Sequence, residues 1–379
     1  MGSSVARGQS CTSDARQAVA ELHAAIAQPD PALVVFFCSP EYDLDALADE
    51  FARRFAGVPA IGCTTAGEIG PDGCREHSIV GASFAGSEFS ATTGGLHHLQ
   101  DFEAEAAEAL AEDLMQGFEG GAPLRPDRAF ALLLVDGTSI REEPVTLALQ
   151  QQLGAIPVVG GSAGDGLRFE KAFVYHDGAF HADAAAVALV HTTVPFEILR
   201  IQHFVPTDQR VVVTAADARR RVVHEIDGRP AAECYAALVG TDVESLDAAR
   251  FADVPVVVMI GGTNYVRSIQ KANDDGSLTF FSAIEDGLVL RAAVGVDLLG
   301  NLADAFADVR HRMGDPQLVL AFDCILRRLE MNRREIVEPV ERVFRDHNVV
   351  GFNTYGEQYC GVHVNQTLTG IAIGRSHDA

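Results

Sequence analysis

Three short turns each carry a carboxylate that could do chemistry. They are Glu68 in "AIGCTTAGEIG" (60–70), Asp165 in "IPVVGGSAGDG" (156–166) and Glu357 in "VVGFNTYGEQYCG" (349–361). Two acids in one cleft push their pKa values apart, which is the minimum for general acid–base work. Nothing beside them completes a catalytic set. No G-x-S-x-G occurs, and "GGSAGD" lacks a strand-to-helix elbow with a base. No Gly-Lys-Ser/Thr follows a glycine-rich turn, and "GGTNYVRSI" (261–269) lacks phosphate-binding spacing. The chemistry these residues favour is binding, and the chain reads as a non-enzyme. The bland alternative is that the turns only close a repeated fold, with glycine for the sharp bend and threonine and acid bonding local N–H groups.

Histidine and cysteine come next. In "HVNQTLTG" an extended chain would project His363, Asn365 and Thr367 to one face and Val364, Gln366 and Leu368 to the other. A polar row straight after a glycine-rich turn is poor core material and good pocket lining; the alternative is an imidazole bonded within a buried polar cluster. His203, in "FEILRIQHFVPT" (196–207), sits where a strand enters a connection between domains. His97 and His98 are adjacent and would point to opposite faces of a strand, so they do not chelate together. His23, His347 and His377 read as solvated. The seven cysteines (11, 38, 63, 74, 234, 324, 360) are odd in number and scattered, without CxxC or zinc-like spacing. Reduced thiols in a cytoplasmic protein are the expectation.

The elements that must position these residues repeat. "LVVFFCSP" (33–40), "FALLLVDGTS" (130–139) and "LVLAFDCI" (318–325) are continuous apolar runs, as in strands buried on both faces. Each is followed by a helical pattern ("DLDALADEFARRFAG", "REEPVTLALQQQLGA", "VEPVERVFRDHN"), a second apolar strand, the glycine turn with its acid, and a further strand: "SIVGASFA", "AAAVALVHT" or "TLTGIAIG". In the first helix Leu44, Leu47, Phe51 and Phe55 recur at helical spacing before a glycine stop. The predicted fold is α/β, with mixed sheets built from three copies of a strand–helix–strand–Gly turn–strand unit. Upstream, "CTSDARQAV" reads as a helix capped by Thr12, Ser13 or Asp14. Only residues 1–12 and 376–379 look loose.

Bulk properties agree with a folded binding protein. The chain has 379 residues, 47% of them hydrophobic, enough for two or three domains or one built by duplication. With 29 Lys plus Arg against 53 Asp plus Glu the net charge is −24, which argues against nucleic acid and anionic lipid as partners. No run of eighteen apolar residues exists to span a membrane, and the N-terminus lacks the regions of a signal peptide.

"GCTTAGEI", "PVVGGSAGDG", "VHEIDGRPAAECY" and the terminal "GFNTYGEQYCGVHVNQTLTGIAIG" together resemble the FIST family of bacterial ligand-binding sensory proteins, over about residues 30–375. The resemblance implies an N-terminal helix and loose end over 1–30, a FIST N-like domain over 31–218 and a FIST C-like sensory domain over 219–379. The family's closing motif usually puts histidine directly before Asn-Gln-Thr, whereas here His363 stands two residues before Asn365. That variant, with "FDCILRRLE" and "YGEQY", is similar to the haem-binding, nitric-oxide-sensing (NosP-like) branch. It implies haem b as cofactor, nitric oxide as ligand, and a histidine kinase or cyclic-di-GMP enzyme as partner in trans; a homodimer is admissible.

A b-type haem needs an imidazole or thiolate on iron, an apolar slot, and cationic or hydroxyl groups near its propionates. No CxxCH is present for covalent attachment. His363 is the first choice of axial ligand and His203 the second, with Cys324 and Cys360 behind them. Asn365 shares the face of His363. Arg327 and Arg328, on a helix after "FDCIL", are candidates for the propionates. Tyr355 and Tyr359 flank Gly356 as candidate distal donors. The competing reading is a colourless sensory module for a small, amino-acid-like molecule.

Overall fold

The computed structural model describes residues 3–118, 121 and 124–376. Three six-stranded mixed sheets dominate it, and all three put an inner face into one apolar core. Leu33, Val35 and Phe37 from the first meet Phe130, Leu132 and Leu134 from the second and Leu320, Phe322 and Phe352 from the third. The Phe37 and Phe352 rings pack at 4.6 Å between centroids. Helices cover the outer faces: Ala15–Ile26 and Leu44–Arg54 on the first sheet, Ala104–Gln116 and Glu142–Leu153 on the second, Leu298–Met313 and Val337–Asp346 on the third. Strands covered on both sides have no solvent face, which is why they read as unbroken apolar runs.

Each sheet is centred on a parallel pair: Pro31–Cys38 with Ala60–Thr64, Ala129–Asp136 with Val158–Ala163, and Leu318–Cys324 with Val349–Thr354. A helix crosses over between the two strands of each pair, as parallel pairing requires. The strand after the glycine turn returns antiparallel to the first member: Ile79–Ala85, Ala184–Thr192 and Thr367–Ile373. Outside it lies one further antiparallel strand, respectively Val5–Ser10, Phe89–His97 and Phe196–Gln202. The hairpin after each glycine turn leaves its own sheet. The first (Glu68–Gly70 with Gly73–Arg75) adds to the third sheet, the second (Val174–His176 with Ala179–His181) to the first, and the third (Glu357–Tyr359 with Val362–Val364) to the second. These exchanges close a ring, so each glycine turn lies where two sheets meet.

A fourth, antiparallel sheet forms a second body with its own core, around Val213, Tyr235, Phe251 and Leu290. It contains Phe204–Asp217, Val222–Ile226, Val256–Ile260, Thr263–Arg267, Ile269–Ala272, Leu278–Phe280 and Val289–Gly295. One expectation needs correcting. Residues 5–10 are not loose but pair along their length with Ile79–Ala85, and the Ser4 N–H bonds Gln317. A boundary at 218–219 falls inside the fourth sheet, and the third sheet takes strands from both sides of it, because the hairpin exchange ties the two ends of the chain together. The helix cap is Asp14, which accepts from the Gln17 N–H. Residues 1, 2 and 377–379, with His377, lie outside the described residues. Among the described residues no helix is long and apolar enough to cross a membrane, and all seven cysteines are unpaired.

Candidate functional site

The first and third glycine turns are built alike. Thr65 Oγ1 donates to Glu68 Oε1, while the Ser78 N–H (3.0 Å) and hydroxyl (2.9 Å) donate to Oε2. Thr354 Oγ1 donates to Glu357 Oε1, while the Thr367 N–H (3.2 Å) and hydroxyl (2.7 Å) donate to Oε2. Burial removes both carboxyls from water and pushes them up, to about 7 for Glu68 and about 8 for Glu357, against the hydrogen bonds that favour the anions. The second turn differs. Burial works to raise the Asp165 carboxyl, but the Tyr355 hydroxyl and the N–H groups of Lys171 (3.0 Å), Glu170 (3.2 Å) and Phe169 (2.9 Å) together hold it below the usual range. Asp165 therefore fixes a loop, and the three acids do not share one cleft.

Glu68 and Asp165 do share a wall. A cavity of about 400 Å³ opens between the end of the Pro31–Cys38 strand, the first turn, the 165–168 loop and helix Ile325–Arg333. That volume suits a small ligand. Glu41, Glu68, Glu76 and Asp165 line it, together with Arg168 and Arg328. Arg168 pairs with Asp165 and Glu41, at 3.7 and 3.8 Å. Arg328 is different, because its buried Nη1 has no hydrogen-bond partner. A buried guanidinium N–H without an acceptor is costly and calls for one.

The other residues singled out in the sequence scatter. Arg327, one position from Arg328, is fully buried, with Nε donating to Asp323 Oδ1 (2.6 Å) and Nη1 3.0 Å from His203 Nδ1. His203 Nε2 lies 2.9 Å from Glu330 Oε2, so both of its ring nitrogens are engaged and neither is available to a metal. Burial lowers the His203 pKa. His363 is 1% exposed, with Nδ1 3.2 Å from the Gln358 amide and Nε2 without a partner. Its ring rests on Gly356, where an added Cβ would lie 2.2 Å from Cε1. Burial pushes its pKa down to about 4, so it is neutral. Asn365 accepts from Ser282 Oγ (2.6 Å) of the second body. Tyr355 stacks on Phe169 and Tyr359 lies near Arg200. Cys324 is buried and its thiol is raised by burial, while Cys360 is exposed.

A haem would need these groups around one slot. The unpartnered Nε2 of His363 is the single feature that suits iron, but Gly356 and Asn365 crowd it and Arg327 belongs to another network. The cavity beside Arg328 is not lined by His363, Asn365, Tyr355 or Tyr359. As placed, the residues do not fit a haem. Among the described residues no group of three or more His, Cys, Asp or Glu is arranged to hold a metal ion.

Two clusters escaped the sequence. Arg221 Nη2 donates to Glu142 and Glu143 across the boundary between the two bodies, foreshadowed only by "ARRR" (218–221) and "REE" (141–143). His97, His176 and His181 gather with ring centroids 4.6–4.8 Å apart, and burial lowers the first two. They come from three strands in two sheets, so no local spacing announces them.

Comparison with known proteins identifies the architecture. The FIST N domain model matches residues 32–229 and the FIST C domain model residues 231–360. An uncharacterised protein of Methanocaldococcus jannaschii is 22% identical, the match covering 92% of this chain and 75% of that protein. Among solved structures, a chain from the structure of PurLQS from Thermotoga maritima matches 98% of this chain and 72% of its own at 11% identity, with a TM-score of 0.21, which supports no shared fold.

Proposed function

The chain belongs to the FIST family, whose domains are small-molecule sensory modules of signal transduction, and from that premise we propose that its sensory ligand sits in the 400 Å³ cavity beside Arg328. The ligand is a small zwitterion of the amino-acid type. The observation that carries this is Arg328, a lining arginine that is in no ion pair among the described residues and whose buried Nη1 lacks an acceptor, in a wall otherwise rich in carboxylates. A ligand carboxylate satisfies the guanidinium, and a ligand ammonium is held by Glu41, Glu68 or Glu76. Closing the helix side of the cavity on the ligand moves helix Ile325–Arg333. The opposite face of that helix holds His203 through Arg327 and Glu330, and His203 stands between the third-sheet strand Phe196–Gln202 and the fourth-sheet strand Phe204–Asp217. Occupancy thus bears on the junction of the two bodies, to the extent that the ligand binds one arrangement better than the other. The output partner stays the one the resemblance implies, a histidine kinase or cyclic-di-GMP enzyme. The common strand order of the three sheets and the matching bonds of Glu68 and Glu357 support descent from one unit copied three times.

Thermal unfolding of the purified chain with a panel of amino acids tests the assignment. At one hundred times its Kd a matching ligand adds about 2.7 kcal/mol and raises Tm by several degrees. Arg328→Ala abolishes the rise while leaving the unliganded Tm within about 2 °C. A rise that persists in Arg328→Ala overturns the site. An intense Soret band that moves with nitric oxide and is lost in His363→Ala overturns it in favour of the haem reading.

A further inference from the structure

A second group of basic side chains lies away from the cavity beside Arg328. Two hollows, of about 450 and about 150 Å³, share Ile140, Arg220, Gln270 and Thr279 as lining and so form one trough between the two bodies. The larger end is lined by Arg220, His224 and Lys271. Lys271 is one of only two lysines in the chain, the other being Lys171. Among the described residues neither Arg220 nor Lys271, nor the His224 imidazole, is in an ion pair, although the net charge of −24 offers abundant carboxylates. The acid at this end, Asp275, is turned to its own loop, where Oδ1 accepts from the Ser277 N–H (3.0 Å) and hydroxyl (2.6 Å). Asp275 also feels His224, which leaves Arg220 and Lys271 as the side chains that face the trough without an ion-pair partner, against the field of the whole molecule.

The smaller end is aromatic. Phe169, Phe281 and Tyr355 line it, with Phe169 stacked on Tyr355 at 4.4 Å between centroids and 5.7 Å from Phe281. Its 150 Å³ is the room of about five waters. Glu142, also at this end, is already bound by Arg221 and offers no free charge. A recess of mixed lining that carries aromatic rings, joined to a hollow lined by Arg220 and Lys271, is complementary to a molecule with a ring at one end and an anion at the other.

We propose that this interdomain trough binds a phosphorylated aromatic compound, a mononucleotide being the simplest, with its ring against Phe169 and Phe281 and its phosphate among Arg220, His224 and Lys271. Phe169 and Tyr355 belong to the three-sheet body and the cations to the second body, so one ligand bridges both. This is a site separate from the cavity beside Arg328, and it does not depend on what that cavity holds.

Calorimetric titration of the full chain with AMP, adenosine and inorganic phosphate tests the proposal. AMP binds saturably and at least tenfold more tightly than either fragment. Arg220→Glu and Lys271→Glu each weaken AMP and phosphate by tenfold or more, and Phe281→Ala weakens AMP while leaving phosphate unchanged. Both charged residues are exposed, so folding is preserved and is checked by an unchanged Tm. The proposal is overturned if AMP does not saturate by about 5 mM, where the binding free energy would be only about 3 kcal/mol. It is equally overturned if phosphate alone matches AMP, or if the Arg220→Glu/Lys271→Glu double variant binds AMP as the natural chain does.

Discussion

The first and third glycine turns use matching four-residue devices, Thr-Ala-Gly-Glu and Thr-Tyr-Gly-Glu, with equivalent donors on the carboxylate (Thr65 and Ser78, Thr354 and Thr367), yet one opens onto a cavity and the other is sealed. The difference lies in what lies over them. Beyond the first hairpin, Glu76 and His77 are exposed and line the cavity wall. The matching positions after the third hairpin, Asn365 and Gln366, are buried under the second body. There Ser282 bonds Asn365, Ser268 bonds Gln366 (2.8 Å), and Gln366 reaches the Ala252 carbonyl (2.8 Å). Cys74 and His363 occupy equivalent registers, opposite Ile69 and Gln358. The turn is therefore scaffold, and the cover decides whether a turn becomes a site.

The largest way to break this comparison is Gly356→Ala. In the sealed turn the new methyl would lie 2.2 Å from His363 Cε1 and 3.1 Å from Asn365 Nδ2, with the ring already enclosed. Urea unfolding is expected to show a loss of up to about 3 kcal/mol, as for overpacking in a closed core. Adding His363→Ala returns most of it, a coupling that a loss of backbone flexibility alone would not produce. A smaller effect sharpens the likeness instead. Thr65→Val and Thr354→Val each leave one buried carboxyl oxygen without its hydroxyl donor, at a cost of about 1–3 kcal/mol. The two costs agree within about 0.5 kcal/mol if the turns are equivalent, while only Thr65→Val alters binding of the zwitterion.

Much of this was legible in the chain. Continuous apolar runs announced strands buried on both faces, and the spacing of Leu47 and Phe51 announced the helix laid over the first of them. The mixed α/β class and the Glu68 and Glu357 turns followed from local pattern. What failed was long-range. Alternation tells which residues of a hairpin face inward but not which sheet edge the hairpin joins, so the ring of exchanges left no local trace. His363, Asn365 and Thr367 do not form one polar row, because Gln366 takes φ 50° and divides Val362–Val364 from Thr367–Ile373. Asn365 takes its partner Ser282 from the second body and Thr367 bonds Glu357, so groups engaged inside the protein looked like pocket lining. Arg327 and Arg328 read as a pair, but successive helical residues point about 100° apart. One therefore enters the core and the other the cavity.

The finest discrimination between the two turns is pH dependence. Glu68 and Glu357 both have folded pKa values above the ordinary 4.5, at about 7 and about 8, because burial disfavours the anion. Below pH 4.5 folded and unfolded chains both hold these protons. Between 4.5 and the folded value the unfolded chain releases its proton while the folded one keeps it, so stability falls as pH rises and levels off above the folded pKa. Glutamine at either position removes that titration, and its amide can donate to the threonine hydroxyl that formerly donated to the acid. Urea unfolding across pH 4.5–8.5 should show Glu357→Gln gaining on the natural chain up to about pH 8, and Glu68→Gln only up to about pH 7. The zwitterionic ligand separates them further. Its ammonium beside Glu68 favours the anion and shortens the Glu68 window, while the sealed Glu357 window stays where it was. Equal gains for both variants, with and without ligand, would mean that the two turns share one environment and that Glu68 is not the acid that holds the ligand ammonium.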